Sequence, residues 1–231
     1  MEKTAILIDL GFFIKRTRRL WLTSAQSTTP QDQAFAIASL LQRHIKGHLT
    51  YKKESTQLYR TFIYDAPPLS KKMHHPKTGQ AIDFSKSDAY ILRTTLHQMI
   101  RQQPMTALRL GVLNESEAVW TLKDKQRYKR YLKGELAYDA IDTDEFIIDV
   151  KQKQVDMKIG MDITWLALKK LVQRIVLISG DSDFVPVAKL ARQEGITFIL
   201  DPMRQSIRPD LSEHIDLLRT PKIYEQESYD D

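Results

Sequence analysis

Five aspartates stand where a folded chain could turn them to chemistry. Residues 176–186 read "VLISGDSDFVP", an apolar run that ends at Gly180 and then presents Asp181 and Asp183 two positions apart. Near the start, "TAILID" delivers Asp9 at the end of a second apolar run, and "KQVDMKIGMDI" (153–163) sets Asp156 and Asp162 at the opening of a helical segment. Carboxylates crowded into a low-dielectric crevice repel one another, and the ordinary remedies are raised pKa values or a bound cation. With no Cys in the chain and no paired His at these motifs, the donors are hard oxygens, which suit Mg²⁺ or Mn²⁺ better than Zn²⁺. Such an ion keeps several waters, can activate one as a nucleophile, and can steady the oxygens of a phosphodiester during in-line displacement.

The elements that must position these groups are legible as apolar runs and periodic stretches. "TAILID" (4–9) is continuously apolar, as expected of a strand covered on both faces of a parallel sheet. Residues 31–46 place Phe35, Ala38, Leu41 and Ile45 at helical spacing, and "QLYRTFIYDAPP" reads as a strand stopped by Pro67 and Pro68. Toward the end the spacing predicts a helix over 157–173, a strand at 175–179, a helix at 184–194 closed by Gly195, and a strand at 196–200. Trp165, Leu166 and Leu168 are assigned to packing of the first of these helices. With right-handed crossovers the core order becomes 2-1-3-4. The switch between strands 1 and 3 then forms a crevice lined by Asp9, Asp181 and Asp183, the place where open α/β sheets bind ligands.

Asp156 falls at a good N-cap position and faces the same edge, whereas Asp162 lies six residues on, about 240° round the helix. The plain alternative is that each Asp caps a helix or closes a turn, as Asp181 or Asp183 would for the helix beginning near Phe184. Four of them at one predicted edge favour a site. The fold class expected is therefore α/β, three layers around a mostly parallel central sheet. It forms one domain over 1–222, with an elaboration at roughly 67–150 and an acidic tail at 223–231.

Composition sets the bounds. The chain has 231 residues, 42% hydrophobic and 28% charged, which is enough apolar material for a sizeable core and too much for wholesale disorder. Neither a leader peptide nor a membrane span is indicated, so a cytoplasmic protein with no membrane partner is expected. A net charge of +6 permits a polyanionic partner without requiring one.

These motifs together resemble the NYN branch of the PIN-like metal-dependent nucleases. The resemblance is carried by "AILIDLGFF", "LYRTFIYDAP", "KQVDMKIGMDI", "IVLISGDSDFVPVAKLAR" and "GITFIL". It implies a PIN-like, Rossmannoid domain that cleaves RNA with Mg²⁺ or Mn²⁺. Asp9, Asp156, Asp181 and Asp183 would form the acidic site, Asp162 would be a further motif position of less defined role, and Lys153 would match a basic residue usual in that motif. Where many relatives have Asn three residues after the first Asp, this chain has Phe12, which removes a polar group from the site.

Two basic stretches could hold RNA. "KRTRR" begins with Lys15 and Arg16 close behind Asp9, and "KDKQRYKRYLKG" (123–134) interleaves Lys125, Arg127 and Arg130 with Tyr128. Cations for phosphates and aromatic faces for unstacked bases are what single-stranded RNA requires, although either run also reads as an ordinary solvated helix face. The sequence thus points to a metal-dependent ribonuclease. An RNA-binding or regulatory module that keeps the fold and cleaves weakly is the second reading, and a homodimer is compatible with either. A dehalogenase-like phosphatase using Asp9 as nucleophile is disfavoured, because that chemistry expects a second Asp where Gly11 stands.

Overall fold

The computed structural model describes residues 2–21, 29–51 and 54–222, so the expected acidic tail lies outside the described residues. The first strand, β1 (Lys3–Asp9), runs straight into helix α1 (Leu10–Leu20); helix α2 (Pro30–Leu49) leads to β2 (Gln57–Asp65). Helix α3 (Asp88–Arg101) precedes β3 (Thr106–Leu110), and α4 (Lys125–Leu132) belongs to a peripheral stretch. The chain then returns through α5 (Val155–Leu168), β4 (Arg174–Ile178), α6 (Val185–Gln193), β5 (Thr197–Asp201) and a short β6 (Leu217–Leu218).

All six strands are parallel and lie in the order β6-β5-β4-β1-β2-β3. The central four are the expected 2-1-3-4, with one further strand at each edge. Register explains the unbroken apolar run of β1: Thr4 to Ile8 sit opposite Arg174 to Ile178 on one side, and Ile8 and Asp9 sit opposite Ile63 and Tyr64 on the other. Successive side chains then point to opposite helix layers. Ile6 and Ile8 pack with Leu10, Phe13, Ile37, Leu41 and Leu96 of the α1–α3 layer, while Ala5 and Leu7 pack with Ile159, Ile163, Phe184 and Ala188 of the α5–α6 layer. Each such buried aliphatic side chain contributes roughly 1.5–3 kcal/mol.

The stretch 67–150 divides in two. Helix α3 and strand β3 join the core, with Leu92, Leu96 and Ile100 buried beside α2. The rest forms small antiparallel pairs, Lys72–His74 with Ala81–Asp83 and Val119–Leu122 with Phe146–Asp149, around a satellite cluster in which His75 packs on Trp120 and Phe146. Helix α5 ends at Leu168, five residues short of the expected 173, because Lys170 turns to positive φ. The packing assignment holds for Leu166, which is buried, but not for Trp165 and Leu168, which are more than half exposed beside Met157 and Met161. Gly195 closes α6 at φ +78, a conformation that a Cβ would strain. Among the described residues no helix is long and apolar enough to cross a membrane.

Candidate active site

Parallel strands bring their carboxyl ends to one edge, and the sequence places aspartates there. Asp9 is the last residue of β1 and the N-cap of α1; its Oδ1 accepts a hydrogen bond from the Phe12 N–H at 3.0 Å. Asp181 follows β4 by three residues and its Oδ1 accepts from the Asp183 N–H at 3.0 Å, closing the 3₁₀ turn Ser182–Phe184 ahead of α6. The capping alternative therefore accounts for one oxygen of each of these two residues, and the Gly11 N–H adds a weaker interaction with Asp9.

Asp156 departs from expectation. The N-cap of α5 is Gln154, held at φ +71 with no side-chain cap bond, and Asp156 stands in the first turn with an exposed carboxylate. Neither it nor the exposed Asp183 carboxylate has a hydrogen-bond or ion-pair partner among the described residues. A negative charge in a first helical turn is favourable to the helix, which accounts for Asp156 without accounting for its neighbours.

Electrostatics tie the four together. Asp9 is pushed up to about 6, first by burial, against the Phe12 N–H hydrogen bond that lowers it, and then by repulsion from Asp156 and Asp65. Asp156 is also raised, by burial first and then by Asp181 and Asp183. Among the described residues no three carboxylate or imidazole groups already converge as ligands of one ion. The donor set still suits a hard cation: its donors are all carboxylate oxygens, and among the described residues none of them is committed to a side-chain donor. Mg²⁺ characteristically binds through one or two carboxylates while retaining its waters.

Three expected site residues are committed elsewhere. Asp162 accepts a hydrogen bond from the Tyr64 hydroxyl at 2.6 Å and pairs with Arg109 at 2.7 Å, so its carboxylate is neutralised and unsuited to metal ligation. Burial and that bond to Asp162 also raise the Tyr64 hydroxyl pKa. Arg16 is buried, donating from Nε and Nη2 to the Met203 carbonyl at 3.1 and 2.7 Å, and cannot reach a substrate. Arg127 is held by Glu145, with Nε–Oε2 at 2.6 Å, and by the Ala140 carbonyl, which makes it a brace of the satellite cluster. Lys15 is exposed on α1; Lys125 and Arg130 are exposed on α4, with Tyr128 half-buried between them. Lys153 is half-exposed and pairs with Glu117 at 3.5 Å.

Two buried carboxylates escaped the sequence reading. Asp65, at the end of β2, pairs with Arg93 and with His97 Nε2, both at 2.7 Å. Asp201, at the end of β5, receives His48 Nε2 at 2.9 Å, the Thr220 hydroxyl at 2.6 Å and the Met203 N–H at 2.8 Å, with His44 Nε2 3.3 Å away. Both follow apolar runs just as Asp9 does, and His44 and His48 sit one turn apart on α2, so a signal was present.

Phe12 occupies the space over the turn that carries Asp181. A Cβ on Gly180 would meet the Phe12 ring at 2.6 Å and the Gln205 amide at 2.9 Å, so the close approach needs glycine.

Comparison with known families and structures completes the picture. The NYN domain profile matches residues 82–216, more than half of the chain, a range that contains Asp156, Asp181 and Asp183 and stops short of Asp9. No curated protein matches the sequence. A crystal structure of a protein of unknown function from Vibrio parahaemolyticus is similar at a TM-score of 0.46 and 14% identity, over 94% of this chain and 91% of that one.

Proposed function

This chain belongs to the NYN domain family, and on that premise we propose that it is a metal-dependent ribonuclease whose acidic crevice is formed by Asp9, Asp156, Asp181 and Asp183. The observation that carries the proposal is that these carboxylates gather at the carboxyl edge of β1 and β4, two of them with raised pKa values. Asp9 is raised to about 6, by burial first and then by Asp156 and Asp65, and Asp156 is raised by burial first and then by Asp181 and Asp183, with no ion pair to any of the four among the described residues. Structural carboxylates in the same sheet are given side-chain donors; among the described residues these have backbone N–H partners or none.

Held among the four carboxylates, Mg²⁺ or Mn²⁺ would supply a water activated for attack and charge stabilisation at the phosphodiester. The chain's own contribution is positional. The Phe12 N–H fixes one oxygen of Asp9 and the Asp183 N–H fixes one oxygen of Asp181, which limits the rotation of both carboxylates. Asp9, half-protonated near pH 6 without metal, is the member best placed to hold or release a proton there. Lys15 is a substrate-binding cation on this reading, with Lys153, Lys125, Tyr128 and Arg130 as candidates at greater remove, and the expected substrate is single-stranded RNA.

A second reading rests on Phe12. Its ring closes over Gly180 where relatives of the resemblance carry a polar Asn, which favours a protein that binds RNA and cuts it weakly. Cleavage of an end-labelled RNA panel in Mn²⁺, Mg²⁺ or EDTA, with Asp181→Asn beside wild type, separates the two. Metal-dependent cutting lost in the variant supports the nuclease; RNA affinity that persists in EDTA with both proteins inert supports the binder.

A further inference from the structure

Apart from the acidic edge, the molecule holds a cavity of opposite character. It measures about 300 Å³ and lies between α1, the Pro67–Leu69 segment, the start of α3 and the strand end at Ile148–Val150. Arg18 and Arg93 both line it, Tyr90 and Phe84 form aromatic walls, and no carboxylate lines it. Arg18 is exposed, and among the described residues its hydrogen bond runs from Nη2 to the Gln33 amide oxygen at 3.1 Å, with no acid to neutralise it. Arg93 gives one nitrogen to Asp65 at 2.7 Å and, with five N–H donors on a guanidinium, keeps others for a ligand. Burial first, and the facing Arg93 charge second, lower the pKa of Arg18, as expected of two cations sharing one space.

The position is as informative as the charge. Asp65 both pairs with Arg93 and repels Asp9, so one wall of the cavity is linked through Asp65 to the sheet edge that carries Asp9. A second cavity of about 520 Å³ shares Pro67, Pro68, Tyr90 and Leu113 with the first, which makes one trough with Tyr90 at its middle and Arg101 farther along α3. Its carboxylate, Glu115, is already taken by the Ser70 N–H and hydroxyl at 2.6 and 3.0 Å.

We propose that this trough is the substrate channel, in which one nucleotide of single-stranded RNA places its phosphate between Arg18 and Arg93 and stacks its base on Tyr90. The inference rests on the ribonuclease reading for its choice of polyanion. The volume suits a single nucleotide, at the small end of ligand sites, and excludes the side of a duplex. Paired guanidiniums match a phosphate, and an aromatic ring accepts any base. The trough is linked to the acidic edge through Arg93 and Asp65, and on that ground it takes the place of the 123–134 stretch as the main RNA-binding surface in this proposal.

The test measures binding without chemistry. A fluorescein-labelled 12-nucleotide poly(U) RNA is titrated in EDTA with Asp181→Asn protein and with the same protein carrying Arg18→Ala, Tyr90→Ala or Tyr90→Phe, over a range of salt. Arg18→Ala should weaken binding about fivefold or more and flatten the slope of log affinity against log salt by about 0.7, the loss of one phosphate contact to a single strand. Tyr90→Ala should weaken binding at least about fivefold with the slope unchanged, and Tyr90→Phe should restore it. Unfolding temperatures within a few degrees of the parent establish that the variants are folded. Parental affinity and slope in both alanine variants would overturn the channel, while metal-dependent cleavage by wild type, assayed in parallel, would leave the nuclease standing. Weakened binding together with an inert wild type would have the opposite meaning: the channel survives and the nuclease does not.

Discussion

Four neighbouring strands of the sheet, β2, β1, β4 and β5, deliver aspartates to the same edge, yet the inner pair and the outer pair have opposite surroundings. The outer ones, Asp65 and Asp201, are buried and surrounded by donors: Arg93 and His97 for one, His48, Thr220 and a backbone N–H for the other. Burial alone would raise Asp201, but hydrogen bonds and charge from His44 and His48 hold it well below the usual carboxylate range. The inner ones, Asp9 and Asp181 with Asp156 and Asp183 beside them, have only backbone N–H partners or none among the described residues, and burial first, then repulsion, raises Asp9 and Asp156. Residue type and strand position are the same; what differs is whether the fold supplies the counter-charge. A carboxylate given its cation by the protein holds the structure, whereas one left without is open to a cation from outside.

That contrast fails or sharpens under substitution. Asp201→Ala strands two buried imidazoles and should cost about 3–5 kcal/mol of stability, read as a lower urea midpoint at unchanged slope. Asp156→Asn should leave stability in EDTA unchanged or slightly higher, because a repulsion is removed, while lowering metal-dependent cleavage at least about a hundredfold, roughly 2.7 kcal/mol of barrier. Mn²⁺ should raise the unfolding temperature of wild type and not of Asp156→Asn. If Asp156→Asn proves as destabilising as Asp201→Ala, the inner carboxylates are structural after all and the distinction collapses.

The next effect concerns pH and has opposite signs in the two regions. The folded pKa of Asp9 is raised to about 6, so its contribution to stability is present below about pH 4 and lost as the pH climbs through 6. Asp201 has a lowered folded pKa, so its contribution is present above about pH 4 and lost below it. Burial also lowers His48, which adds stability with rising pH toward 6.5 and opposes Asp9 in that window. The difference between wild type and Asp9→Asn isolates the inner group, since Asn can still accept the Phe12 N–H. Denaturation in EDTA should show the variant gaining about 2 kcal/mol relative to wild type between pH 4.5 and 7, allowing for partial exposure. Equal slopes for the two proteins would remove Asp9 from the repelling cluster.

The sheet was legible because apolar runs such as "TAILID" and "IVLIS" are covered on both faces, and a pattern that strong survives without tertiary information. The acidic edge was legible for the same reason, since an aspartate after such a run can only lie at a carboxyl end. What the sequence concealed is pairing across distance. Asp162 meets Tyr64, Arg16 meets the Met203 carbonyl and Asp201 meets His48, contacts between segments 98, 187 and 153 residues apart. Arg127 shows the local version: a basic run promises a binding face, and only the fold reveals that Glu145 has claimed one of its members. Strand β3 and helix α3 fell inside the expected elaboration at 67–150 rather than the core, because β3 is only partly covered at the sheet edge and its short run carries no two-faced burial signal.

The smallest effect should come from the one apolar group set at the inner edge. Phe12 packs over Gly180, and a methyl at that glycine would meet its ring at 2.6 Å. A ring is less able to give way than the end of a flexible chain, so Gly180→Ala should displace the turn bearing Asp181 and cost about 1 kcal/mol together with some cleavage. Phe12→Asn removes the obstruction and restores a polar group beside Asp9. If the ring is what Gly180 accommodates, the double variant should be more stable than the sum of the two single losses by about 0.5–1 kcal/mol, the coupling expected of residues in direct contact. Activity should follow the same cycle, with Phe12→Asn lowering the Mn²⁺ concentration needed for half-maximal cleavage. Strict additivity in both stability and activity would mean that Phe12 merely fills space beside the crevice, and the inner edge would then owe its properties to the carboxylates alone.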